Sequence, residues 1–130
     1  MAELVYQTIG ELLEEQVAKY PEREALVYAD RNLRMTYKEF DGHVNQVAKA
    51  LMAIGLEKEQ NFSVWTTNVP EWPGLQFGSG KMGAALVTVN TAYRSSELEY
   101  LLKQSDCRAI FLIDRYRDHS FIDTLYSLCP

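Results

Sequence analysis

The sequence predicts an α/β fold: an N-terminal helix–β-hairpin–helix (residues 1–60) followed by a βαβαβα parallel half-sheet (residues 61–130). Three observations carry this. Short apolar runs alternate with helical stretches through the second half, as right-handed βαβ crossovers require. Capping pairs mark where helices begin. A third signal lies between Met82 and Leu98, where a glycine ends a helix, a β-branched run follows at once, and a polar turn leads into another helix.

The elements follow in order. Thr8 stands three residues before Glu11, and Ile9, Leu12, Leu13, Val17 and Tyr20 then share one helical face until Pro21. Ala25–Tyr28 and Leu33–Thr36 flank Ala29-Asp30-Arg31-Asn32 as a hairpin. Thr36 and Glu39 open a second helix, whose stripe of Tyr37, Phe40, Val44, Val47, Ala48 and Leu51 stops at Gly55. After the charged turn Glu57–Asn61 the rhythm changes. Phe62–Thr66, Ala85–Val89 and Ala109–Ile113 read as strands; Val69–Met82, Glu97–Gln104 and Ser120–Leu128 read as helices. Asn68 with Glu71, and Ser96 with Glu99, are the expected caps of the third and fourth helices. Ligands of such sheets collect outside the carboxyl ends of the strands. Here those ends are Thr67-Asn68, Asn90–Tyr93 and Asp114–Arg117.

Composition narrows the classes. The chain has 130 residues, enough for one domain with a core, and a net charge of −5. It carries no basic cluster, which argues against a nucleic-acid partner. No apolar run has the ~18 residues of a transmembrane segment. Met1-Ala2-Glu3-Leu4 lacks a signal peptide's basic start, and Cys107 and Cys129 lack metal spacing and read as reduced thiols. A cytoplasmic location is therefore expected.

Gly78-Ser79-Gly80-Lys81-Met82-Gly83 fits the G-x-G-x-x-G pattern of dinucleotide sites. Such a motif must turn directly from strand into helix, so that the helix N-terminus meets the pyrophosphate. These glycines instead fall at the far end of the helix begun near Asn68. Close packing of Gly74, Gly78 and Gly80 on the sheet, with Gly83 as C-cap, is the simpler account. A Walker loop fails too, since Met82 follows Lys81 and Leu75 occupies the first glycine's place. His43 and His119 have no ligand partners at useful spacing and read as boundary or surface residues. Trp65 and Trp72 read as packing groups, Trp72 over the sheet edge. Arg115 and Arg117 follow Asp114 at a strand's carboxyl end, where guanidinium groups suit a phosphate; an exposed loop with salt bridges is the competing account.

Several phrases together resemble the N-terminal part of the AMP-forming acyl-CoA synthetases, the adenylate-forming enzymes, and most closely the fatty acyl-CoA ligase branch. They are Leu33-Arg34-Met35-Thr36-Tyr37-Lys38-Glu39-Phe40, Asn68-Val69-Pro70-Glu71-Trp72, Lys81-Met82-Gly83-Ala84, Val87-Thr88-Val89-Asn90-Thr91-Ala92-Tyr93, and Glu97–Leu102 with Ser105-Asp106. The resemblance runs from about Thr8 to Ile113. Pro73 departs from it, lying in the first turns of a helix usually free of proline, and is expected to move that helix's start to Trp72.

The resemblance implies part of a larger N-terminal domain and an enzyme that joins a fatty acid to coenzyme A through an acyl-adenylate. ATP, Mg and coenzyme A would serve the whole enzyme, with none bound tightly by this segment. The Pro-Lys-Gly loop, the aromatic-x-x-Thr-Glu motif and the lysine-bearing domain lie outside these residues, so no catalytic residue carries over and the segment is expected to be inactive alone. The resemblance assigns Asn90, Thr91, Arg115 and Arg117 to the approach of coenzyme A's nucleotide end. Missing sheet segments would expose Val27 and Tyr28, or the Phe40–Leu51 stripe, which leaves a homodimer open. A stand-alone scaffold module and a dinucleotide-binding domain remain the alternatives.

Overall fold

Backbone hydrogen bonding divides the chain into two layers of helix around a short parallel sheet, and a computed structural model describes residues 3–129. Helix α1 (Ile9–Lys19) begins with a complete capping box: Thr8 Oγ1 accepts from the Glu11 N–H, and the Glu11 carboxylate accepts from the Thr8 N–H. Strands β1 (Glu24–Tyr28) and β2 (Leu33–Thr36) form the expected antiparallel hairpin. A single 3-10 turn over Ala29–Arg31 joins them, and Asn32 at φ 48° makes the left-handed step that asparagine tolerates. Helix α2 (Tyr37–Ala53) opens on a second complete box between Thr36 and Glu39.

The sheet comprises β3 (Asn61–Trp65), β4 (Ala85–Thr88) and β5 (Cys107–Leu112), all parallel, in the order β4–β3–β5. Its first strand in sequence is thus its central one. Helix α3 (Glu71–Met82) connects β3 to β4, and α4 (Ser95–Gln104) connects β4 to β5. Beyond β5 the structure adds an element absent from the sequence reading, a small antiparallel hairpin of β6 (Arg115–Tyr116) and β7 (His119–Ser120); the expected last helix, α5 (Phe121–Leu128), follows it.

Alternation along β3 explains the layering. Phe62 and Val64 pack with Leu51, Leu56 and Ala84 under α2 and α3, while Trp65 packs with Val89, Leu98 and Phe121 under α4 and α5. A third cluster of Leu13, Phe40 and Val44 joins α1 and α2 to the first hairpin. Of the two apolar patches that the sequence left open to exposure, the Phe40–Leu51 stripe is therefore covered. Phe40, Val44, Ala48 and Leu51 are all buried because α1 and α3 close over them, although Val27 stays exposed.

Two expected caps do not form. Helix α3 starts at Glu71 with Pro70 before it and no side-chain cap; the Trp72 N–H bonds the Val69 carbonyl instead of drawing Asn68 in. Pro73 does not move the start to Trp72. It sits in the first turn, where its missing N–H would have no partner in the helix. Helix α4 starts one residue before Ser96. The Glu97 carboxylate accepts from the Arg94 N–H at 3.0 Å, and Glu99 pairs with Lys103.

The glycine motif lies at the C-terminal end of α3, with Gly83 at φ 82° as its left-handed cap. Its packing partner corrects the sequence reading. A Cβ at Gly74 would stand 2.8 Å from His43 Nε2, and one at Gly78 would stand 2.9 Å from Val47 Cγ1. Both glycines let α3 approach α2, not the sheet.

Lys81, beside them, reaches between α1 and α2 with only 11% of its side chain exposed. It donates to Asp41 at 2.6 Å, Asn45 at 2.9 Å and Glu14 at 3.1 Å. Burial works against its charge, but the hydrogen bonds to Asp41 and Glu14 outweigh it and hold the ammonium group above its ordinary range.

Candidate functional site

Three chain segments leave the sheet at its carboxyl end: Thr66–Pro70 after β3, Val89–Arg94 after β4 and Ile113–Asp118 after β5. Trp65 organises the last two. Fully buried at the end of β3, its indole Nε1–H donates to the Asn90 carbonyl at 3.1 Å. Its ring stacks on Phe121 at 3.9 Å with an interplanar angle of 3°, and meets His119 edge-on at 5.6 Å. One side chain thus spaces the loop after β4 from the hairpin after β5.

Asn90 holds its own loop. Its side-chain Oδ1 accepts from the Ala92 N–H at 2.9 Å, and its backbone carbonyl also accepts from the Tyr93 N–H at 3.0 Å. Such an Asx turn leaves the Asn90 amide NH2 unused within the loop. Thr91, next to it, is half-buried. Arg115 begins β6 and is exposed; Arg117 is exposed at the hairpin turn, at φ 57°, with its guanidinium 5.1 Å from the Tyr116 ring centre. Neither arginine forms an ion pair among the described residues. No hydrogen bond joins Asn90 or Thr91 to either arginine among those residues. The four share an end of the sheet and the Trp65 scaffold between them.

Sequence reasoning missed the hairpin and the surroundings of His119. A two-residue turn normally advertises itself by glycine or asparagine, and Arg117-Asp118 offers neither. His119 is half-buried, at the boundary of the core as its sequence suggested. Its Nε2 lies 2.7 Å from Thr124 Oγ1, and its Nδ1 is buried with no hydrogen-bond partner among the described residues. Burial first, and the Arg94 charge second, push its pKa below the ordinary 6.5; Asp118 pulls the other way.

On the opposite face a crevice of about 330 Å³ opens beside the ends of β3 and β5, lined by Thr66, Val69, Trp72, Leu75, Phe111 and Ile113. At its margin Arg31 pairs with Glu71. Burial opposes the Glu71 charge, yet the Arg31 hydrogen bond and the helix start hold its carboxyl below the usual range. Among the described residues no group of three His, Cys, Asp or Glu side chains is placed to hold a metal ion. Both cysteines are free; the Cys107 thiol lies 2.9 Å from the Ser63 hydroxyl beneath the sheet. No helix among the described residues is long and apolar enough to cross a membrane.

This arrangement of strands and helices recurs in known proteins. The chain is 50% identical, over all 130 of its residues, to a putative acyl-CoA synthetase, YngI, of Bacillus subtilis, and covers 24% of that protein. It is 35% identical over 127 residues to the mitochondrial medium-chain acyl-CoA ligase ACSF2 of Mus musculus, covering 21% of it. Among solved structures, a Mycobacterium tuberculosis fatty acyl CoA synthetase superposes with a TM-score of 0.78 at 28% identity, over 81% of this chain and 21% of the other. The N-terminal domain of FACL13 from the same organism matches with a TM-score of 0.78 at 27% identity, over 82% of this chain and 27% of the other. The chain thus spans about a quarter of the length of the curated relatives it matches. The family described as AMP-binding enzyme matches residues 13–127, nearly all of the βαβ architecture and the whole strand-end region, and the chain belongs to that family.

Proposed function

We propose that this chain is the N-terminal piece of a fatty acyl-CoA ligase, and that residues 1–130 perform no chemistry by themselves. The whole enzyme would join a fatty acid to ATP, release pyrophosphate, and pass the acyl group from the adenylate to the thiol of coenzyme A. Similarity to acyl-CoA synthetases across the full chain is the observation that carries this reading. The segment's own contribution would be a surface for coenzyme A: Arg115 and Arg117 for phosphate, Asn90 and Thr91 for the nucleotide. Two exposed guanidinium groups without carboxylate partners among the described residues, on a hairpin at the sheet's carboxyl end, support that assignment.

The experiment is a pair of half-reactions on the full-length protein. Fatty-acid-dependent exchange of pyrophosphate into ATP reads adenylation, and thioester formation reads the second step. We expect both from the intact protein and neither from residues 1–130. Replacing Arg115 and Arg117 together by alanine should raise the KM for coenzyme A about 10- to 100-fold, as for loss of one or two charge-assisted phosphate contacts. Pyrophosphate exchange should be unchanged. Exchange without fatty acid dependence would overturn the ligase reading; an unaltered KM would overturn the assignment of the two arginines.

A further inference from the structure

The hairpin that carries the two arginines has one anchor whose chemistry is unusual. Thr124 Oγ1 donates its single proton to the Ser120 carbonyl at 2.9 Å, so it can only accept from His119. His119 must therefore carry its proton on Nε2. That leaves Nδ1 as a bare lone pair, buried, with no donor facing it among the described residues. The ring meets the stacked pair of Trp65 and Phe121 edge-on, at 5.6 and 5.2 Å between ring centres.

We propose that His119 is a proton-operated latch: neutral, it fastens the β6–β7 hairpin to Trp65 and α5, and protonated at Nδ1 it releases the hairpin together with Arg115 and Arg117. A neutral ring can leave a lone pair unpaired at modest cost. A cationic ring cannot, because the new N–H would be a buried donor of a charged group with no acceptor. The charged groups facing the ring are Arg94, from the loop before α4, and Asp118, from its own turn; Tyr93 and Tyr116 are the other titratable side chains packed in the cluster. Trp65, Phe121 and Thr124, from β3 and α5, bring no charge. Arg94 repels the proton and Asp118 attracts it, and with burial the balance falls against it. The open hairpin then takes up its proton at higher pH than the closed one. Closure is favoured at neutral pH and weakens as pH falls through the ordinary histidine value of 6.5. As a control on coenzyme A retention, the latch rests on the site assignment above; as a structural switch it stands alone.

With two histidines in the chain, nitrogen-15 imidazole NMR of the full 130-residue chain tests it directly. The expected result at neutral pH is a His119 ring protonated on Nε2. Titration from about pH 7.5 to 5 should then show one His119 midpoint below the free-histidine value. Amide signals of Tyr116 and Arg117, and Trp65 emission with Trp72 replaced by phenylalanine, should move at that midpoint. His119→Gln should abolish the transition while His43→Gln leaves it in place. Should His119→Gln fail to fold, Thr124→Val offers the second route, because it should lower the hairpin amides' protection factors at neutral pH towards those of the acid state. An Nδ1–H tautomer, or a His119 titration that leaves the hairpin and Trp65 unmoved, overturns the latch. Coenzyme A binding by the full-length protein is measured separately over the same range. A moving latch with unchanged binding would sink the coenzyme A assignment alone.

Discussion

The indole of Trp65 and the backbone carbonyl of Asn90 are joined by a 3.1 Å hydrogen bond that ties the central strand to the loop after its neighbour. Its donor end is sequestered, since Trp65 is fully buried. Trp65→Phe removes the donor and part of the stack on Phe121, while Asn90 keeps a second donor in the Tyr93 N–H. We expect a loss of about 2 kcal/mol, a lost hydrogen bond plus a small cavity. Urea unfolding should read it, and amide exchange at Ala92 and Tyr93 should rise with it.

Two glycines should respond with opposite sign to the same change. Gly42 lies on the exposed side of α2, where an added Cβ would have nothing within 4 Å, so Gly42→Ala should stabilise by about 0.5–1 kcal/mol through helix propensity and chain entropy. Gly78→Ala gains the same propensity, but its methyl would meet Val47 Cγ1 at 2.9 Å and the Ala48 backbone nitrogen at 3.2 Å. Forcing α2 and α3 apart should cost about 1–3 kcal/mol and reverse the sign. Equal melting shifts for the two variants would contradict this packing.

Lys81→Met would leave Asp41, whose side chain is 21% exposed, without its cation. Remaining exposure of Asp41 and the open position of Glu14 moderate the effect, to about 2 kcal/mol at neutral pH. The pH dependence follows from the raised pKa of Lys81. Its contribution is complete below the ordinary lysine value of 10.5 and is lost as pH rises through the higher folded value. Thermal melts from neutral to strongly alkaline pH should show the wild type converging on the variant only at the top of that range.

Thr36→Ala breaks the cap that joins the first hairpin to α2. The Glu39 N–H loses its acceptor at 3.2 Å, and about 1 kcal/mol should be lost, read by chemical denaturation. Placing serine at this position should recover most of it.

How far the sequence could be read depended on whether the signal was local. Thr8 with Glu11 and Thr36 with Glu39 announce caps because every group involved lies within four residues, and both formed as expected. Asn68 with Glu71 has the same spelling and fails, because Pro70 enters the helical conformation itself and the first turn closes through Val69. Strands and their parallel direction were legible from their alternation with helices. What covers what was not: the burial of the Phe40–Leu51 stripe depends on α1 and α3 arriving from both sides of it in sequence. Asn90, Thr91, Arg115 and Arg117 were selected from strand ends and family resemblance, whereas the surroundings of His119 were not legible. Those surroundings come from Trp65, more than fifty residues away in the chain, and from a turn whose residues carry no glycine signal.

The β4–β3–β5 order has a further consequence for how such a chain emerges during synthesis. Because β3 is both the earliest strand and the central one, β4 and β5 each find their partner already made and add to one of its two free edges. Among the described residues no strand has to insert between two others, and each crossover closes through a single helix. A sheet arranged this way can be laid down in the order of translation, with β3 serving as the template for both strands that follow it.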